Sequence, residues 1–229
     1  MPVNSFNCLE KGYDTPMETL SKLFSGEGRV KVMRLFLFNP DLLFSLEQIK
    51  IKARISTKEA KLEIDTLEKA GMIKEKKSVQ EIQVKRRGKI LNIKKKIVCW
   101  HLDPDFEYLA PLQNLLINTR PLRPNEILKR LSNVGKLKMV IVSGVFIQNA
   151  DSRVDILIVG DNLKKGAIDR IVKTMEAEIG KELTFASFET ADFNYRLGMY
   201  DKLVRDILDF PHQKLLDKLN LPSLNPKTI

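Results

Sequence analysis

The chain has 229 residues, 43% hydrophobic and 30% charged, a composition that excludes a disordered protein and a length that predicts two domains. Two cysteines, Cys8 and Cys99, and two histidines, His101 and His212, leave no material for a disulfide framework, a cysteine zinc site or a histidine-centred catalytic site. No apolar run approaches the ~18 residues of a membrane span, and Met1–Ser5 lacks the basic and apolar regions of a secretory leader, so a cytoplasmic protein without a membrane partner is expected.

The 39 basic and 29 acidic residues leave a formal net charge of +10, and the excess lies entirely before Met139. Residues 1–110 hold 21 basic and 15 acidic residues, whereas residues 139–229 hold 12 and 13. Lys74–Ile97 alone carries 10 basic and 2 acidic residues. Such a concentration suits a polyanionic partner, because neutralising phosphates and releasing their counterions drives binding.

In chain order, Arg29–Phe38 reads as a compact apolar helix stopped by Asn39-Pro40. Ser45-Leu46-Glu47-Gln48 is a capping box opening a second helix, and Ser56-Thr57-Lys58-Glu59 repeats the device for a third. Ala60, Ile64 and Leu67 form one buried stripe on that third helix, which closes at Ala70-Gly71, and Thr57, Lys58 and Lys61 fall off the stripe. Met72-Ile73 begins a strand, Gln80–Val84 alternates, Lys85-Arg86-Arg87-Gly88 is a turn candidate, and Ile97–Leu102 returns as the partner strand. Trp100 and His101 sit in that return strand, and Trp100 reads as core rather than as a base-stacking residue.

Helix, two capped helices and a basic hairpin follow the order of a winged helix-turn-helix. Ile55–Ile73, ending Leu67-Glu68-Lys69-Ala70-Gly71-Met72-Ile73, resembles the recognition-helix region of winged-helix transcription regulators. That resemblance implies double-stranded DNA as partner, with Thr57, Lys58 and Lys61 in the major groove. Lys85, Arg86, Arg87 and Lys89 of the wing would lie against phosphates or the minor groove.

Leu109, Leu112, Leu115 and Leu116 predict a connecting helix before the stiff Pro121-Leu122-Arg123-Pro124 turn; it either covers the first domain or forms a homodimer seam. Beyond Gly135, short apolar strands are expected at Met139–Val142, Val154–Val159 and Leu183–Phe188. One helix carries Ile168 to Ile179, and another carries Leu197, Tyr200, Leu203, Val204, Ile207 and Leu208. Val142–Asp161 resembles the front of a minimal nucleotidyltransferase domain of the DNA polymerase β superfamily, with Gly144-Val145 for Gly-Ser and Ser152-Arg153-Val154-Asp155 for the metal-binding strand. In that family converging aspartates hold two magnesium ions. Here Arg153 stands at the first aspartate, Val145 replaces the serine, and the interior of the third strand has no acid, so Asp155 is expected to pair with Arg153.

The expected fold is therefore α+β. It comprises an N-terminal segment (1–19), a winged-helix domain (20–108), a connector helix and linker (109–135), and a small α/β nucleotidyltransferase-like domain with a mixed sheet (136–229). The expected function is a DNA-binding transcriptional regulator whose second domain is catalytically inactive and serves dimerisation, partner binding or ligand sensing. No cofactor, metal or catalytic residue is expected, and Gly144 and Arg153 are the candidates for holding a phosphate. An active nucleotidyltransferase guided by the winged helix, or an RNA-binding or antitoxin-like protein, is the alternative.

Overall fold

The computed structural model describes residues 15–86, 89–118, 122–149 and 151–221, without the side chains of 80–95. Among the described residues the protein is a mixed α+β structure with nine α-helices and two sheets, one of them mixed. Helices α1 (Pro16–Leu23), α2 (Glu27–Phe38), α3 (Leu46–Ala53) and α4 (Thr57–Lys69) pack with a sheet ordered β1-β3-β2. Its strands are β1 (Phe44–Ser45), β2 (Ile73–Arg86) and β3 (Lys89–Leu102), all antiparallel. The Ser45–Gln48 capping box forms in full at the start of α3. At α4 only half of the expected box is present, Ser56 Oγ accepting from the Glu59 amide at 3.1 Å.

The first core gathers Val30, Val32, Met33, Phe36 and Leu37 of α2 with Ile49, Ala60, Ile64 and Leu67. Helix α5 (Leu109–Leu116) lays Leu109, Leu112 and Leu116 on it, leaving Leu115 outward. Helix α1 also belongs here, although no element is expected from the sequence before residue 20; Thr15 and Glu18 close a full capping box at its start.

Strands β2 and β3 run in unbroken register from Ile73↔Leu102 to Arg86↔Lys89; β2 starts where Met72-Ile73 is expected to begin a strand, and β3 starts at Lys89 rather than at the expected Ile97. Strand β1 pairs only with Cys99 and Trp100, so beyond that point the hairpin is a two-stranded ribbon. Lys74–Lys77 and Val79 are all exposed, on both faces of the pleat.

The second half centres on a sheet ordered β6-β5-β4-β7, made of β4 (Lys136–Val142), β5 (Ile156–Asp161), β6 (Phe185–Glu189) and β7 (Gln213–Asp217). Strand β6 runs parallel to β5, and the other pairings are antiparallel. Because successive side chains alternate, Ile156 and Ile158 with Val140 and Val142 face α6 (Pro124–Leu131) and α7 (Lys165–Ile179). Leu157 and Val159 with Met139 and Ile141 face α8 (Thr190–Gly198) and α9 (Lys202–Asp209). Two expectations are corrected. The stretch read as a stiff turn continues into α6, with Pro124 in its first turn, where a missing N–H costs nothing. The helix expected through Tyr200 is broken: Tyr200 has φ +55°, and Asp201 starts α9 by accepting from the Val204 amide at 3.1 Å.

A polar seam joins the two halves. Arg34, in the middle of α2, is 1% exposed; its Nε donates to Leu116 O at 3.0 Å and its Nη1 to Glu178 O at 2.9 Å. Asn39 Nδ2 donates to Gly180 O at 2.9 Å, and Arg130 clasps the Glu178 carboxylate with two bonds of 2.9 and 2.8 Å. Gly180 has φ +86°, and a Cβ there would lie 2.5 Å from the Arg34 carbonyl carbon, so the approach of α2 to α7 requires glycine. Gly180→Ala should lower unfolding free energy by at least about 2 kcal/mol, from left-handed strain and overpacking together. Urea denaturation of the variant beside the parent measures this.

Candidate nucleic-acid interface

Helix α4 is fixed by its buried stripe, which contains Glu63 as well as Ala60, Ile64 and Leu67. Glu63 is 5% exposed and pairs with Arg29 of α2 at 2.7 Å, so this acid is turned inward and leaves the outer face to others. That outer face brings together Thr57, Lys58 and Lys61, all exposed. Asp65 on the same face is held by Lys69 at 2.8 Å, so positive charge predominates toward the N-terminal end, where the helix dipole adds to it. Among the described residues no carboxylate pairs with Lys58 or Lys61.

Sequence reasoning missed Leu62, 59% exposed beside these lysines. An apolar side chain there suits an approach to a thymine methyl, and its signal was available: it is a large apolar residue off the stripe.

The ribbon carries the rest of the charge. Lys74 is engaged by Asp103 at 2.7 Å, which holds the Asp103 carboxyl below its ordinary range. Lys76, Lys77 and Lys96 are exposed. Lys85, Arg86 and Lys89 occupy the far end of the ladder, where Arg86 is paired in register with Lys89. Arg87 lies outside the described residues, as do the side chains of Lys85, Arg86 and Lys89. Trp100 is half-buried against the first core, and the Cys99 thiol is buried and pushed above its ordinary pKa by desolvation.

The second candidate site, around Gly144 and Arg153, is arranged differently from expectation. Arg153 does not pair with Asp155. The shared-face argument required both to lie in a strand, but β5 begins only at Ile156. Arg153 sits in the preceding loop and reaches Asp206 of α9 at 3.3 Å. The Asp155 carboxylate instead accepts from the Val145 amide and from the Thr184 amide, each at 2.9 Å. It thereby bolts the loop after β4 and the loop before β6 to the start of β5.

Gly144, with φ +57°, must be glycine, because a Cβ would lie 2.0 Å from Asp155 Oδ1. Its amide donates to Ser152 Oγ at 2.9 Å. The two amides that would face a phosphate thus already have acceptors within the chain. The third strand runs one residue further than expected and ends in an acid, Glu189, but this carboxylate accepts from the Asn162 and Leu163 amides at 3.0 and 2.9 Å. Among the described residues no three histidine, cysteine, aspartate or glutamate side chains converge as a metal-holding group, and no helix is long and apolar enough to cross a membrane.

Asp155→Ala should therefore behave as a stability variant, losing about 2–3 kcal/mol with two charge-assisted bonds, and Asp155→Asn about half as much because its single carbonyl oxygen still accepts. Chemical denaturation of the pair reads this; unchanged midpoints in both would remove the structural role.

No protein family, no curated protein and no solved structure matches the chain significantly.

Proposed function

We propose that the chain is a DNA-binding regulator: a winged helix-turn-helix in its first half, and in its second half a nucleotidyltransferase-like domain that is regulatory rather than catalytic. The observation that carries this reading is the outer face of α4. A helix capped at Ser56 turns its one buried acid inward to Arg29 and presents Thr57, Lys58, Lys61 and Leu62 outward. The order α2-β1-α3-α4-β2-β3, with β3 between β1 and β2, supports the resemblance to winged-helix regulators. The ribbon suits such a partner too, since Lys74–Ile97 carries 10 of the 39 basic residues. In this reading α4 enters a major groove and the ribbon follows the flanking phosphates.

The test is an anisotropy titration of the full chain on duplex DNA selected from random sequence. Binding should weaken steeply with salt, and replacing Lys85, Arg86, Arg87 and Lys89 together by alanine should flatten the log–log salt slope by roughly three to four. Lys58→Ala with Lys61→Ala should reduce the preference for selected over random duplex, at about 1–3 kcal/mol for each base edge left unread. Equal affinity of parent and ribbon variant would end the wing assignment. Tighter binding to single-stranded RNA than to any duplex would favour the RNA-binding alternative.

For the second half, the order strand, loop, strand, helix, strand, helix from β4 to α8 supports the nucleotidyltransferase likeness. The chemistry of that family needs carboxylate oxygens free to ligand cations. Asp155 has both oxygens bonded to backbone amides, as does Glu189. The expected outcome is no magnesium-dependent transfer from labelled nucleoside triphosphates to protein, RNA or small acceptors. Transfer by the parent that a folded Asp155→Asn variant loses would establish the enzyme reading in its place.

A further inference from the structure

Between α2–α3 on one side and α7 on the other lies a cleft of about 650 Å³, within the range of pockets that hold small organic ligands and at a domain junction where such pockets concentrate. Its lining is amphipathic. Leu42 and Ile51 stand on the α2–α3 side, 51% and 65% exposed, two large apolar side chains left in water on the same concave surface.

The charged lining is unbalanced: Lys52, Arg54, Arg170, Lys173 and Lys181 face only Glu176 and Glu182. Both acids are already engaged, Glu182 by Lys52 at 2.6 Å and Glu176 through Oε1 by the Leu183 amide at 2.9 Å. Lys52 holds the Glu182 carboxyl below its ordinary range. Arg54 is fixed across the cleft by bonds to Arg170 O and Thr174 Oγ1. Among the described residues, no carboxylate pairs with Lys173 or Lys181. A concave surface with an uncompensated excess of one sign focuses potential and concentrates counter-ions of the other sign.

We infer that this cleft binds a small organic anion with an apolar body, its carboxylate held by Lys173 and Lys181 and its hydrocarbon part on Leu42 and Ile51. An inorganic anion would satisfy the cations and leave the apolar surface wet. A neutral hydrocarbon would cover that surface and leave the cations unpaired. Only a molecule with both parts answers both features. The assignment is independent of the DNA reading, since it is read by ligand binding alone and its failure leaves the DNA titrations untouched.

The test is calorimetry on the full chain with decanoate below its micelle concentration, with decanol and inorganic phosphate as comparison ligands and thermal melting as a second measure. One decanoate per chain should bind, with decanol and phosphate at least tenfold weaker. Lys173→Ala with Lys181→Ala should weaken decanoate about tenfold or more and leave decanol unchanged. Ile51→Ser should weaken both apolar ligands. These three side chains are exposed, so the melting temperatures of the unliganded variants should match the parent. Overturning results are multiple uptake insensitive to either variant, decanol binding as tightly as decanoate, phosphate binding as tightly as decanoate, or no binding at all.

Discussion

The structure depends on a cation taken out of water. Arg34 loses its hydration in the middle of α2, and burial pulls its pKa down to about 10, against the opposing pull of the Glu178 carboxylate. At neutral pH it remains charged, so the surroundings must supply what water did. They do so with the ends of two helices. Leu116 closes α5 and Glu178 lies in the last turn of α7, so both carbonyls are acceptors that intrahelical bonding leaves free, at the negative pole of each helix dipole. Arg34 thus satisfies two helix ends while they satisfy it. Among the described residues its Nη2 has no partner, a residual cost of the arrangement. A buried charge of this kind adds little net stability but penalises every other docking, because any alternative seating of α7 strands it.

The rest of the seam follows from that position. Arg130 takes the Glu178 carboxylate, which pairs α6 with α7 and leaves the Glu178 carbonyl to Arg34. Gly180 lets the chain turn away directly against α2, and Asn39 secures its carbonyl. Phe38, the last residue of α2, packs against the second core although most of α2 belongs to the first. One helix therefore serves both halves, and the cleft beside it has walls from each.

What can be read from the chain divides by range. The Ser45–Gln48 box and the Ala60–Leu67 stripe are local signals, and both are present. Thr15-Pro16-Met17-Glu18 carries an equally local signal for α1, and Pro124 reads as a stop where it is a start. The full length of β3 escapes because the Lys94-Lys95-Lys96 run leaves no apolar alternation ahead of Ile97. The expected Arg153–Asp155 pair fails because strand periodicity does not extend past a strand's beginning. No local pattern could reveal the seam, since its donors and acceptors lie 48 to 144 positions apart. The Asp155 loop carries a related lesson. A pattern resembling a catalytic motif identifies where a carboxylate sits in a fold, but not what it bonds, and here each oxygen of Asp155 accepts a backbone amide.

The distances along the chain also set an order of events. A nascent chain leaving the ribosome completes α2 long before the acceptors of Arg34 exist, and α7 is the last of them to be synthesised. Before α7 arrives, α5 alone can offer Arg34 an acceptor, the Leu116 carbonyl. Docking of α7 is a long loop closure, costly in chain entropy and rewarded only when the Glu178 carbonyl reaches Arg34. The first half can thus assemble its own core early, while its union with the second is made late, by the C-terminal end of a single helix.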